Sequence, residues 1–338
     1  MQDNKVLNYI KEVLINMPSG WVNLTTHRLD IYDESLAKTQ FIEQFEALYE
    51  SENIEATALN ELPTAYDYIR LGHPLSCVLE WGIAKLKNIK SENVISFSSK
   101  TTPILAILRK NLLTNKATKI NFKGSLPTCF DADVLKHVYG YQFELKQVDD
   151  ASSVTAFDGS NIYISEQTDV SAFDDNSAID FYINLHGNLG SVLMVNGENN
   201  ESYISEIQHV RRRETISMTP ANTFKALQAL TENTSFDSKD SHLAANKKSV
   251  VASIKEITVS PTNALVASSG LSMQYAIMMG LVHYAQENHS GKAIKFVVPP
   301  NCYGGTNDQA RRVAACLDNV EVVDLPVDGG NDMVKSID

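Results

Sequence analysis

The sequence predicts an α/β protein built on a mostly parallel sheet flanked by helices, with that architecture present in two related copies. Short β-branched runs alternate with stretches of helical period, which marks βαβ units. The alternation recurs later in the chain in the same order, and an internal repeat of this length is a fold-level signal. With 338 residues, 43% of them hydrophobic, the chain has enough apolar side chains for a large buried core.

Taken in order, "NKVLNYIKEVLINM" spaces its apolar residues as a helix does, and residues 1–60 read as an N-terminal helical arm. The first copy covers 61–235. There "HPLSCVLEWGIAKL" is a helix, "NVISF" a short strand ending at Ser98 and Ser99, and "TTPILAILRKNLL" a helix. "KATKINFKG" is a strand, Cys129 and Phe130 sit in a turn, a helix follows, and "QFELKQVDD" is a strand. "AIDFYINLHGNLGSVLMVNGE" reads as two more buried strands. "ESYISEIQHV" and "TPANTFKALQAL" read as helices, the second with Thr219 as cap and Pro220 in its first turn. The second copy covers 236–338. The helix "HLAANKKSVVASIKE" leads into it and could belong to either copy, then an apolar strand ends at Ser268, Ser269 and Gly270 and a helix begins. "KAIKFVVPP" is a strand, Cys302 and Tyr303 make a turn, Thr306 caps a helix, and "VEVVDLPVD" is a strand. With its sheet unfinished at residue 338, this copy reads as truncated.

The formal net charge of −12 disfavours nucleic acid and anionic membranes as partners. The one basic run, Arg211 to Arg213, reads as a solvated helix face. No stretch approaches the ~20 consecutive apolar residues of a membrane helix, and the N-terminus lacks the features of a secretory signal, so a cytoplasmic location is expected. Cys77, Cys129, Cys302 and Cys316 form no CxxC pair and no zinc spacing, and are expected to be free, buried thiols. Trp21 and Trp81 read as core or interface packing, and His27 and Arg28 as a solvated turn.

Two turns carry the chemistry. Ser268, Ser269 and Gly270 lead into a helix, where free amides and the helix dipole suit a phosphate, although the same residues also serve as a plain cap. There is no GxxxxGK[ST], no GxGxxG and no GxSxG, which excludes a Walker loop, a dinucleotide fingerprint and a hydrolase elbow. In "PPNCYGGT" a strand ends and Tyr303 precedes two glycines, placing an aromatic ring at a helix start as a stacking platform or a plug.

Together the SSG turn and "YGGT" resemble the Cys/Met-metabolism family of pyridoxal-phosphate (PLP) enzymes, which includes cystathionine synthases and lyases and methionine γ-lyase. The resemblance implies the fold-type-I, aspartate-aminotransferase-like architecture. By it, the backbone at Ser269, Gly270 and Leu271 holds the cofactor phosphate and Tyr303 stacks on the pyridine ring. "YDYIRLGHPLSCVLEWGIAKL" is similar to the family's Y-S-R-x-G-N-P-T segment, which places Tyr68 and Arg70 on the pair that reaches a neighbouring subunit's cofactor phosphate. His73 replaces the usual Asn, and Leu271 a usual Met.

The match departs from the family at decisive places. The Schiff-base lysine falls near His186 to Asn188, where no amine exists. In the first copy Lys100 stands at the place of Gly270, Phe130 keeps the aromatic of Tyr303, and both glycines are lost. The arginine that grips the substrate carboxylate falls near Gln228, and Lys335 comes too early to act as the Schiff-base lysine. The second copy keeps SSG and YGGT but has no Tyr-x-Arg before them. These defects are complementary, so the expectation is a fused pseudo-dimer in which Tyr68 and Arg70 complete one site in the second copy.

The function expected is a PLP-dependent lyase or transferase of sulfur amino acids. It would act on a small amino-acid substrate by elimination or replacement at Cβ or Cγ, as a homo-oligomer or intramolecular pseudo-dimer, with the lysine outside this chain. The alternatives are an inactive homologue that binds a partner, and a generic nucleotide-binding domain.

Overall fold

The computed structural model describes residues 2–23, 34–63, 69–232, 234 and 243–325. Helices α1 (Gln2–Asn16), α2 (Glu34–Glu50) and α3 (Ala56–Glu61) precede α4 (Pro74–Lys87). His73 caps α4 with a full capping box: its Nδ1 accepts from the Ser76 amide at 3.2 Å, and the Ser76 hydroxyl accepts from the His73 amide at 2.9 Å. That bond leaves Nε2 to carry the ring proton, which it donates to the Met218 carbonyl at 2.7 Å. Asn88 ends α4 in the left-handed conformation, φ 54°.

Strand β1 (Val94–Phe97), α5 (Thr102–Leu113), β2 (Thr118–Phe122), α6 (Ala132–His137) and β3 (Glu144–Gln147) follow. Next come β4 (Ser160–Glu166), β5 (Phe181–His186), β6 (Gly190–Val195), α7 (Ile204–Glu214) and α8 (Pro220–Glu232). The six strands form one sheet in the order β1-β6-β5-β4-β2-β3. Strands β3, β2, β4 and β5 run parallel, whereas β6 is antiparallel to both β5 and β1. The sheet is therefore mixed, because the short turn after His186 makes β5 and β6 a hairpin and only antiparallel strands can be joined so tightly. Gly190, at φ 131°, makes the pairing possible: a Cβ there would lie 2.0 Å from the Phe97 carbonyl oxygen.

Alternation along the strands builds two cores. Tyr163, Tyr182, Val192 and Met194 face α1, α2, α4 and α8, in a cluster that also buries Trp21 and Trp81. Ile162, Ile164, Phe181, Ile183 and Leu193 face the other way, onto α5 and α7. The central strand β4 escapes the sequence reading because Ser160, Asn161 and Ser165 interrupt its apolar residues. All three are buried and hydrogen-bonded, for example Asn161 to the Thr155 and Ala178 carbonyls.

The remaining residues form α9 (Leu243–Thr258), α10 (Gly270–Asn288), β7 (Ile294–Val298), α11 (Gly304–Ala314) and β8 (Val320–Asp324), with β7 and β8 paired in parallel. The strand expected before Ser268 does not form. No described strand lies beside residues 264–268, and without a ladder partner Leu265 is left 78% exposed. A third cluster joins α10, α11 and β7 to Val138, beyond the C-terminal end of α6. The cysteines are free, but only Cys77 is buried; Cys129, Cys302 and Cys316 lie at turns and a helix end near the surface. Among the described residues, no helix is long and apolar enough to cross a membrane.

The arginine run departs most from expectation. Arg211 is not solvated but 2% exposed, and its Nη1 donates to Glu80 Oε1 at 2.8 Å and to the Ser96 carbonyl at 3.2 Å. Glu80, on α4, is fully buried; its other oxygen pairs with Lys38 of α2 at 2.6 Å, and the Ser96 amide and hydroxyl donate to Oε1. Burial alone would raise the Glu80 pKa, but Lys38, Arg211 and Ser96 hold it down at about 2.

Replacing Glu80 with Ala would strand Lys38 and Arg211 in the core. We expect a loss of about 3–5 kcal/mol in denaturant unfolding, and a change under about 1 kcal/mol would refute this role. The buried histidines add a pH dependence. Burial lowers the pKa of His73 and of His186 to about 4, so as pH falls the unfolded chain takes up these protons first. The stabilisation from both rings is complete above about pH 6.5 and lost as pH falls toward 4. Unfolding midpoints measured from pH 7.5 to 4 should fall steadily below 6.5, with a shallower slope in His73→Asn; identical slopes would contradict the assignment.

Candidate functional site

Helix α10 starts one residue after Ser269, whose extended backbone (φ −155°) and side chain make it the N-cap. Its Oγ accepts from the Ser272 amide at 3.1 Å, and the Ser268 and Ser269 hydroxyls lie 2.9 and 2.8 Å from that of Ser272. By position, the Gly270 and Leu271 amides have no acceptor within the helix. A methyl group on Gly270 would meet no protein atom within 4 Å, so protein packing does not require the glycine.

Helix α11 begins at Gly304 with Tyr303 at the cap position, so Thr306 is not the cap that the sequence suggested. It lies inside the first turn, where its hydroxyl bonds Gln274 Oε1 at 2.9 Å and ties α11 to α10. Gly305 has a packing reason, since a Cβ would lie 2.8 Å from both the Leu271 methyls and the Tyr303 ring. Gln309, 1% exposed, donates to the Leu271 carbonyl at 2.9 Å and to the Arg213 carbonyl at 2.6 Å. The first turns of α10 and α11 and the last turn of α7 are thereby held together.

Arg70 enters this junction from the first segment, and its Nη2 donates to the Tyr303 hydroxyl at 3.1 Å across 233 residues of sequence. Burial lowers the guanidinium pKa, Tyr303 opposes that, and the nearby charges of Arg212 and Arg213 add to it. The group stays charged, since arginine does not deprotonate in proteins. Asp308 balances part of this charge through His209 Nε2 at 3.0 Å and Arg213 Nε at 3.3 Å. Burial would raise the Asp308 pKa, yet His209, Arg312 and Arg213 bring it down.

The structure thus brings Ser269, Gly270, Leu271, Tyr303 and Arg70 to one place. Tyr68, His27, Arg28 and Lys335 lie outside the described residues. Sequence reasoning missed Gln309, Asp308 and the second and third arginines of the run. The polar pattern of α11 was the one available signal.

The Ser98–Ser99 turn of the first segment is closed on itself. Ser98 contacts the Thr215 hydroxyl and the Ile216 carbonyl, both at 3.3 Å. Ser99 accepts from the Thr101 and Thr102 amides, and its carbonyl accepts from Ser191 at 2.6 Å. Helix α5 opens only at Thr102, so Lys100 precedes the helix while Gly270 opens one. Phe130 is a plug that packs edge-on to Phe143 at 5.9 Å, unlike Tyr303, which is 58% exposed. His186 is buried at the end of β5 with Nδ1 donating to the Gln167 carbonyl at 2.9 Å.

No family model and no curated protein matches the chain. Among solved structures it is similar to metB from Corynebacterium glutamicum, at 15% identity over 61% of this chain and 62% of that one, TM-score 0.32. It is similar to cystathionine gamma-lyase from yeast at 13% identity over 61% and 64%, TM-score 0.37. A putative O-acetylhomoserine (thiol)-lyase (metY) from Campylobacter jejuni, solved with N'-pyridoxyl-lysine-5'-monophosphate, aligns at 16% identity over 48% and 58%, TM-score 0.28. The chain spans less than two thirds of the length of each of these three proteins.

Proposed function

We propose that this chain binds pyridoxal 5'-phosphate at the junction of α10 and α11. In this reading it works as part of a PLP-dependent lyase or transferase of sulfur amino acids, on a small amino-acid substrate by elimination or replacement at Cβ or Cγ. Its site is that of a fused pseudo-dimer: Arg70 of the first segment completes the cradle of the second. The observation that carries this is the Arg70–Tyr303 hydrogen bond at 3.1 Å, at the start of α11, whose Gly305 packs against Leu271 in the first turn of α10.

The residues fit the phosphate and ring ends of the cofactor. The Gly270 and Leu271 amides and the Ser269 hydroxyl would hold the phosphate with Arg70, in open space above Gly270, and exposed Tyr303 would cover the ring. Among the described residues, no lysine hydrogen-bonds or ion-pairs with Ser269, Gly270 or Tyr303. The Schiff-base lysine in this reading comes from outside the chain. When bound, the cofactor supplies an electron sink for a substrate carbanion, while the residues here bind and orient it.

The closed first turn and the buried His186 favour a second reading, an inactive homologue that keeps a ligand-binding role. Both readings place the anion at α10, and they part on lysine chemistry.

Titration with pyridoxal phosphate should show binding that Arg70→Ala weakens by roughly 10- to 100-fold, the worth of a charge-assisted hydrogen bond of about 1.5–3 kcal/mol. Unchanged affinity in Arg70→Ala would refute the shared site. Borohydride treatment of the complex should leave no covalent adduct on this chain by mass spectrometry. An adduct on one of its lysines would replace the reading with direct attachment.

A further inference from the structure

The short basic run at 211–213 has work to do at the site, and two of its arginines divide it. Arg211 points inward and Arg213 reaches Asp308 on α11. The inward one is the more informative. Besides Glu80 and the Ser96 carbonyl, Arg211 bonds the Leu71 carbonyl through Nη2. The peptide on the other side of Arg70 is held as well, since the Ile69 carbonyl accepts from the Ser217 amide at 3.0 Å and from the Ser217 hydroxyl at 2.7 Å.

We propose that Arg211 and Ser217 are positioning residues for the anion site, clamping the backbone on both sides of Arg70 so that its guanidinium is presented to Tyr303 and the first turn of α10. This rests on the reading that Arg70 serves that site. Arg211 cannot shift to follow Leu71, because Glu80 fixes its other nitrogen and Lys38 fixes Glu80. Ser217 lies three residues past the end of α7, so both clamps belong to the same end of that helix, the end Gln309 joins to α10. An arginine side chain loses up to about 2 kcal/mol of rotamer freedom when ordered, and a fixed backbone restricts the conformations from which it must be selected. One rigid path therefore runs from the Glu80 cluster through α7 to the residue that crosses between segments.

The test uses the full chain, titrated with pyridoxal 5'-phosphate and separately with inorganic phosphate. Arg211→Met leaves Glu80 paired with Lys38, and Ser217→Ala removes a single hydroxyl. Each should weaken binding of both probes, Arg211→Met by roughly tenfold, the usual worth of a group that orients a binding residue. A merely structural role is separated by a double-mutant cycle: in the Arg70→Ala background, Arg211→Met should add no further loss. Losses that add, or wild-type affinity in Arg211→Met while Arg70→Ala binds weakly, would overturn the positioning role and leave the site standing. If Arg211→Met does not fold, Ser217→Ala carries the same cycle with the same outcomes. If the unaltered chain binds neither probe, the site itself is refuted and the positioning role falls with it.

Discussion

Glu80 is the constraint on which the molecule turns. A carboxylate fully buried on the face of α4 is tolerated only because Lys38, Arg211 and Ser96 saturate it. Those partners come from α2, α7 and β1, so one charge fixes how four elements meet. Such a cluster is poor evidence for high stability, because a well-packed apolar replacement would do as well or better. Its contribution is geometric. With Nη1 of Arg211 held by Glu80, its Nη2 is turned onto the Leu71 carbonyl and pins the chain there.

A second buried pair does similar work at the join between segments. Arg109 of α5 pairs with Glu214 at the end of α7 through Nη1, and its Nη2 donates to the Tyr275 hydroxyl of α10 at 2.9 Å. Burial would lower the Arg109 pKa, but Glu214 and the neighbouring tyrosines raise it well above its ordinary value. Outside this core the ion pairs are more exposed, with Arg312 on Glu206 and His209 on Asp308. Helix α7 is thus joined to α10 through a dry pair inside and to α11 through partly solvated pairs at the rim. The rim pairs carry less energy, since exposed ion pairs are screened.

The two serine turns show how similar strings take different roles. In the first, every hydroxyl is engaged with backbone or with another hydroxyl of the first segment, and the helix starts late. In the second, the helix starts at once, the space into which a Gly270 side chain would project is open, and an arginine from elsewhere bonds Tyr303 at the start of the neighbouring helix. The difference comes less from the serines than from the residues just after them: Lys-Thr-Thr-Pro delays the helix, while Gly-Leu-Ser enters it directly.

The sequence by itself determined the alternation of helices and strands, the two buried strands around His186, the burial of both tryptophans, and two turns that open helices. Those are local matters of period, propensity and cap chemistry. It could not show β4 as a strand, because that strand's polar residues are explained only by partners on other elements. It also suggested a strand before Ser268, because an apolar run carries no information about whether a ladder partner exists. Of the site, the SSG and YGGT turns and Arg70 were legible as motifs. The direction of Arg211, the staple made by Gln309, and the meeting of Arg70 with Tyr303 were decided by the tertiary structure alone. Each joins residues far apart in the chain, and such bonds are fixed by which faces the packed elements turn toward one another, a property that no local window of sequence contains.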